Sequence, residues 1–585
     1  MLQDCIEIFE KELETKGDRL ITDNHLPENG TYIIVSLKDD KFEIKDVLDI
    51  KYNKKTGEID GRENIYFKDI REYDYNSKII NTNKSLESKR VIHSNNYLSF
   101  FVKKENLSNG KLTYEIIENY YKVLSNPKLK YTKSKAKEIY SVVEEKLGEV
   151  DIELLEKISI WIKDNIFSLS ELGIEVRGKG YLKIFFDLPI EKYHIEGERY
   201  LIPNIYNNND FNRKVDDVVY GLPNNNMNLN SKKPYLENKS RKEKIPYLID
   251  EKQVLLQKKF FDHLLNVASK GEVNVYINDK GIMSYKNGEM PKSEDDNFNG
   301  TYMRIKKGKT EVEIQSYDFI TSYKYKLKNT FKLQNILELD DKFIDGEYSA
   351  HNNRESMQNI LNNILFSKYL VNNYYTDAKD IPIKDSLIKR NLLLSREKIF
   401  DYIYKGNENG IYNLLDKVSK DLIKNSITNG YIIKASHQYN LKGSLQNYFK
   451  GGKNMGDVVF DIKNNLRNKI NLDDTKIFEC DKEYYFAVGQ FVNYLLSKSK
   501  SKNKPHSLAN PFINAKSNSV IKEKLRNLYK RYNYDIDMYG KRVKNIYAMI
   551  VSYEPQGKVD QDMIIAGYLH SNLIYESNKE ENING

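Results

Sequence analysis

The chain has 585 residues, 30% of them charged and 39% hydrophobic, a length that calls for about two to four cores rather than one. A net charge of +9 with a pI near 8.8 favours an acidic partner. Two cysteines, Cys5 and Cys480, exclude a disulfide framework and a cysteine-based zinc finger, and no run of about 18 apolar residues marks a membrane span.

Leu2 to Thr15 reads as an acidic amphipathic helix rather than a signal peptide, with Ile6, Phe9 and Leu13 on one face. From Gly30 to about Val102 the pattern predicts strands: TYIIVSL, KFEIKDVLDI and ENIYFKDI are β-rich and divided by Asp-Asp, Thr-Gly and Asp-Gly turn signals. VIHSNNYLSFFVKK joins a polar pair, Asn95 and Asn96, to a buried strand. Helices follow from Tyr114 to about Ile166, the last carrying Trp161, the single tryptophan, as a core residue. YLKIFFDLP reads as a buried strand, and Glu251 to Ala268 as a helix. VNVYIND, IMSYKNG, TYMRIKKG and TEVEIQSYDF predict a small antiparallel sheet. Beyond Asp340 helical periods dominate, and from Met455 five helical segments with short loops form a bundle able to bury its own core. The fold class is α+β, a mixed α/β N-terminal region with small antiparallel sheets followed by an all-helical C-terminal bundle. The expected boundaries are 1–340, 341–454 for a helical connecting region, and 455–585 for the bundle.

Two stretches carry chemistry. Gly221 to Pro246 opens on Gly-Leu-Pro and holds Asn224, Asn225, Asn226, Asn228 and Asn230, followed by Lys232, Lys233, Lys239, Arg241, Lys242 and Lys244 against Glu237 and Glu243. A carboxamide offers donor and acceptor in one plane and reads a base edge; lysine and arginine neutralise phosphate. The second stretch runs from Lys498 to Arg531, with ten Lys/Arg and one acid, Glu523. In its helix Ile521, Leu525, Leu528 and Tyr532 form an apolar stripe beside a basic one of Lys522, Arg526 and Lys530. Lys524, Arg531, Lys541, Arg542 and Lys544 add to that surface. A solvated helix alternates charge sign; this one does not, which points to a groove for a nucleic-acid backbone. Because Lys, Asn, Ile and Tyr share A/T-rich codons, these clusters count where overall totals do not.

No catalytic constellation emerges. Asp262-His263 is a lone dipeptide best read as a half-core helix position, Gly178-Lys179-Gly180 is too short for a phosphate loop, and neither cysteine has a nearby histidine. The chain reads as a non-enzyme without cofactor or metal. The rival is a metal-dependent nuclease or RNA-processing enzyme whose carboxylates or histidines meet only in space.

IHSNNYLSFFVKK, GLPNNNMNLNSKKPYLENKSRK and SKSKSKNKPHSLANPFINAK, in this order and spacing, resemble the large subunit of type I-B CRISPR surveillance complexes (Cascade), of Csh type. With two cysteines and neither a signal peptide nor an apolar span, the chain reads as cytoplasmic with no membrane contact; the resemblance implies a non-catalytic protein held in a guide-RNA complex with backbone subunits. It implies recognition of the short motif beside a double-stranded DNA target (the PAM), help in opening the duplex and stabilising the R-loop, and recruitment of a helicase-nuclease in trans. The Asn/Lys loop would then belong to the 1–340 region as the PAM reader. Lys450-Gly451-Gly452-Lys453-Asn454 before Met455 is also compatible with a purine-rich ribosome-binding signal. An internal start at Met455 would yield a small helical subunit from the C-terminal region, as the family does.

Overall fold

The computed structural model describes residues 2–53, 58–80, 84–206, 209–216, 218–223, 240, 247–292, 297–308, 311–451, 454–502, 505–536 and 540–576. The architecture is α+β, and the chain divides into two compact units, 1–286 with 300–319, and 287–299 with 320–585.

The first unit opens with α1 (Leu2–Lys16), which buries Cys5, Ile6 and Phe9, and α2 (Arg19–Thr22). β1 (Gly30–Lys38) and β2 (Lys41–Tyr52) form a hairpin whose two turn residues, Asp39 and Asp40, both adopt positive φ, 48° and 61°. That left-handed pair matches the right-handed strand twist, and short Asp side chains tolerate it. β3 (Ile59–Asp60), α3 (Phe67–Ser77), β4 (Ser99–Lys103), α4 (Lys104–Ser108), α5 (Tyr114–Ser125), α6 (Ser134–Leu147), α7 (Ile152–Asn165), β5 (Tyr181–Phe186) and α8 (Ile190–Ile205) follow. The sheet order is β3-β2-β1-β5-β4, with β1 and β5 parallel at its centre. Central strands lose water on both faces, so β1 reads TYIIV and β5 YLKIFF, each almost wholly buried. Trp161 packs its ring on Phe186 and donates Nε1–H to the Phe42 carbonyl at 3.0 Å.

ENIYFKDI departs from its strand reading. Phe67, Ile70, Tyr73 and Ser77 recur at three- and four-residue spacing, and burying that face makes the segment part of α3.

After the hairpin β6 (Arg213–Val215) and β7 (Val218–Tyr220) comes α9 (Glu251–Ser269), capped by the Asp250 carboxylate on the Gln253 N–H at 2.8 Å. β8 (Glu272–Asn278), β9 (Gly281–Lys286), β10 (Phe298–Lys307) and β11 (Val312–Tyr323) form the second sheet in the order β11-β10-β8-β9. α1 and α9 share a core with it through Phe9, Phe260, Val275 and Met303.

In the second unit β12 (Lys326–Lys332) pairs with β13 (Ala350–Asn353). Helices α10 (Arg354–Ile360), α11 (Ser386–Lys405), α12 (Ile411–Thr428), α13 (Ile432–Lys450), α14 (Met455–Asn471), α15 (Asp481–Ser497), α16 (Asn510–Ile513), α17 (Asn518–Tyr532), α18 (Lys541–Ser552) and α19 (Gln561–Leu569) follow. Ile423, Ile427, Ala435 and Tyr439 of α12 and α13 lie in one core with α14, α15 and the later helices. α15 is buried on all sides from Glu483 to Val492, and it meets α19 at two glycines. A Cβ on Gly489 would strike the Ile564 carbonyl, and one on Gly567 the Phe486 carbonyl, so the two backbones touch. Among the described residues no helix is long and apolar enough to cross a membrane.

Candidate nucleic-acid interface

α17 is held by the stripe read from its sequence: Ile521, Leu525, Leu528 and Tyr532 are buried in the second unit's core. Packing therefore fixes which side chains face outward, and Lys524, Arg526, Lys530 and Arg531 are exposed. The structure sorts the seven expected cations into two groups. Lys522 is tied down: its ammonium meets Glu554 at 2.5 Å and the Val551 carbonyl at 3.1 Å, and this hydrogen bond holds the Glu554 carboxyl below its usual range. Arg542 donates to Asn471 at 2.6 Å and to the Glu576 carbonyl, whereas Lys541 meets Asp473 at 2.6 Å in a pair exposed on both sides and correspondingly weak. Among the described residues Lys524 has only its exposed neighbour Glu523, at 3.2 Å, a surface pair worth at most about 1 kcal/mol. Arg526, Lys530 and Arg531 have no carboxylate within ion-pair distance among the described residues.

An aromatic stack lies beside these cations. Tyr529 of α17 and Tyr547 of α18 are nearly parallel, with centroids 4.5 Å apart, and Tyr547 continues onto Phe491 at 5.4 Å. Burial raises the Tyr547 phenol and the Arg526 charge works against it. The stack joins α17, α18 and α15, so Arg526 and Lys530 stand on a braced surface.

The expected base-reading and backbone-holding residues from Asn224 to Lys242 lie outside the described residues. The flanks of that segment are described, and they are clamped. Gly221 and Ile249 exchange backbone hydrogen bonds of 2.9 and 3.0 Å, and Tyr206 bridges to Pro223. The Tyr206 hydroxyl donates to the Val219 carbonyl at 3.0 Å, and its ring fills the space a Cβ on Gly221 would need. Lys84 closes the clamp, donating to the Tyr206 carbonyl at 2.8 Å; burial, with Lys130 nearby, brings its ammonium down to about 8.

Asn95 and Asn96 are buried rather than presented on a polar loop. Asn96 donates Nδ2–H to the Tyr193 carbonyl at 3.0 Å and accepts from the Leu98 N–H at 3.0 Å, so its carboxamide is spent on the turn into β4. The Asn95 N–H donates to the Ser77 carbonyl at 2.7 Å. The physical reason is the run YLSFF, which drags its polar neighbours inside with it. Asp262 and His263 part company: Asp262 accepts from Tyr75 at 2.9 Å and pairs with Lys258, while His263 packs on the Phe9 ring. Met455 is the first residue of α14, its N–H held by Asn447 at 3.1 Å.

One site escaped the sequence reading. In the first unit Lys183 of β5, Asp74 of α3 and His25 form a buried chain: Lys183 pairs with Asp74, and His25 Nε2 lies 2.6 Å from the other Asp74 oxygen. Burial alone would raise the Asp74 carboxyl, but Lys183 and His25 outweigh it and hold it well below the carboxylate range. Burial also lowers His25, which is therefore neutral and donates Nε2–H to Asp74. These residues come from three distant segments, so no spacing announces them. The available signal is the lysine inside YLKIFF, since a cation in a buried strand requires a partner. Among the described residues no group of three or more His, Cys, Asp or Glu side chains is placed to hold a metal ion.

No protein-family model, no curated protein and no solved structure matches this chain.

Proposed function

We propose that this chain is the DNA-contacting large subunit of a type I-B CRISPR surveillance complex, acting without catalysis of its own. The observation that carries the reading is the outward row of Arg526, Lys530 and Arg531, unneutralised among the described residues and set on a helix whose opposite face is locked in a core. Such a row suits a phosphate backbone, by charge and without regard to sequence. The three stretches that resemble the family support it further. In this reading the segment between the Gly221–Ile249 clamp reads the PAM, the guide RNA supplies sequence specificity, the cations of α17 hold an opened strand, and a separate helicase-nuclease is recruited. Initiation at Met455 supplies extra copies of the helical subunit; Ile423, Ile427, Ala435 and Tyr439 cover part of its core in the full chain, a surface that neighbouring copies would cover in the complex.

The test is a mild pull-down of the C-terminally tagged chain from its native cells, with sequencing of bound RNA and a denaturing gel. Repeat-spacer RNA together with several partner subunits is the expected result, with a shorter tagged band that disappears on synonymous recoding of Gly451 and Gly452. A chain that brings down unrelated RNA, and that ignores the PAM when reconstituted with its partners, refutes the reading.

A further inference from the structure

The first unit contains a cleft of about 1120 Å³, slightly above the usual range of small-molecule sites. Three of the charged groups in and behind its wall bear on what it could bind. Asp74 is neutralised by Lys183 and accepts a hydrogen bond from His25, and Glu28 reaches the same Lys183 ammonium at 3.0 Å. Asp262 is neutralised by Lys258 and accepts from the Tyr75 hydroxyl. The third group is Lys78. Its Nζ sits 5.2 Å from the centre of the Tyr75 ring, on which Lys258 also lies at 5.1 Å. The ammonium of Lys78 has no hydrogen-bond or carboxylate partner among the described residues, because the carboxylates around it are already engaged. Burial pushes its ammonium below the ordinary lysine range; Asp262 pulls it back and Lys258 pushes it further down. Lys78 is half-buried in the cleft wall, and a partly shielded cation whose neighbouring carboxylates are engaged gains from a bound anion.

The geometry points to a small-molecule site in this cleft whose ligand presents one oxyanion, a carboxylate or a singly charged phosphate, to Lys78. Charge at other parts of the lining limits what enters. The lining carries nine acidic side chains against five lysines, a balance that repels polyphosphates and nucleic-acid strands, so the site is separate from the DNA-binding role. Leu255, Leu256 and Phe101 add apolar wall, which favours an organic anion over an inorganic one.

The test uses the full chain and three probes, benzoate, acetate and ATP, against chloride of matched ionic strength. Benzoate raises the unfolding temperature saturably, acetate does so at higher concentration, and ATP does not. Lys78→Met abolishes the response, whereas Lys252→Met, which removes an exposed cleft lysine, keeps it. A second measurement needs no variant: benzoate protects Lys78 of the unaltered chain from trinitrobenzenesulfonate, read by peptide mass spectrometry. The proposal is overturned if neither carboxylate shifts unfolding, if Lys78→Met responds like the unaltered chain, or if Lys78 is labelled equally with and without benzoate.

Discussion

Replacing Arg526, Lys530 and Arg531 together by glutamine separates the cations that are available from those that are already engaged. On single-stranded nucleic acid each phosphate contact contributes about 0.7 to the slope of log affinity against log salt. Removing three contacts flattens that slope by about 2. Between about 50 and 200 mM salt, a fourfold range, the triple variant therefore loses roughly 20-fold less affinity than the unaltered chain. Lys522→Ala is the matched control. Its ammonium is held by Glu554 and the Val551 carbonyl, so it leaves the slope unchanged although it lies on the same helix. The assay is fluorescence anisotropy of a labelled single-stranded oligonucleotide with the full chain across a salt series. An unchanged slope in the triple variant, or an equal flattening by Lys522→Ala, refutes the assignment of the binding face.

Three other outcomes are expected. Gly489→Ala and Gly567→Ala each cost about 1–3 kcal/mol in urea unfolding, because the added methyl strikes a carbonyl of the facing helix; Gly346→Ala, with open space around it, leaves stability unchanged. Lys183→Met leaves the Asp74 carboxylate buried with His25 alone and costs about 3–5 kcal/mol; Asp74→Asn in the same chain recovers part of that loss, and in Lys183→Met the His25 ring, followed by NMR, takes its proton at higher pH. Burial, aided by the Lys463 charge, lowers His570 from 6.5 to about 4. The unfolded chain then binds a proton there that the folded chain refuses. Stability is full above pH 6.5 and falls as the pH drops toward 4, by about 3 kcal/mol at the limit; His570→Gln flattens this part of an acid titration followed by circular dichroism.

The elements most legible in the sequence were those whose periodicity answers to one packed face. The α17 stripe, the five segments of the terminal bundle and the four strands of the second sheet all lie where their patterns put them. ENIYFKDI was misread because a few β-prone side chains outweighed a helical spacing that becomes clear only when Tyr73 and Ser77 are included. Charge was legible as a total but not as availability. That Lys522 is engaged and Arg526 is not depends on Glu554, far along the chain. The Asn95-Asn96 pair shows the same limit, since a polar residue beside a core strand serves the turn before it serves a ligand. The cleft was invisible for a further reason: Lys78, Asp262 and His25 become neighbours only through tertiary packing.

The clamp at Gly221 and Ile249 has a consequence for how this protein can change over generations. Because the two flanks already meet across a backbone pair, the chain between them adds no distance that the rest of the unit must accommodate. Doubling the length of such a closed segment costs only about 0.6 kcal/mol. Insertions and deletions between the two flanks therefore cost little in closure entropy. A change of length between the clamped ends is therefore a smaller burden than a change in the sheets and helices, where every side chain answers to packing.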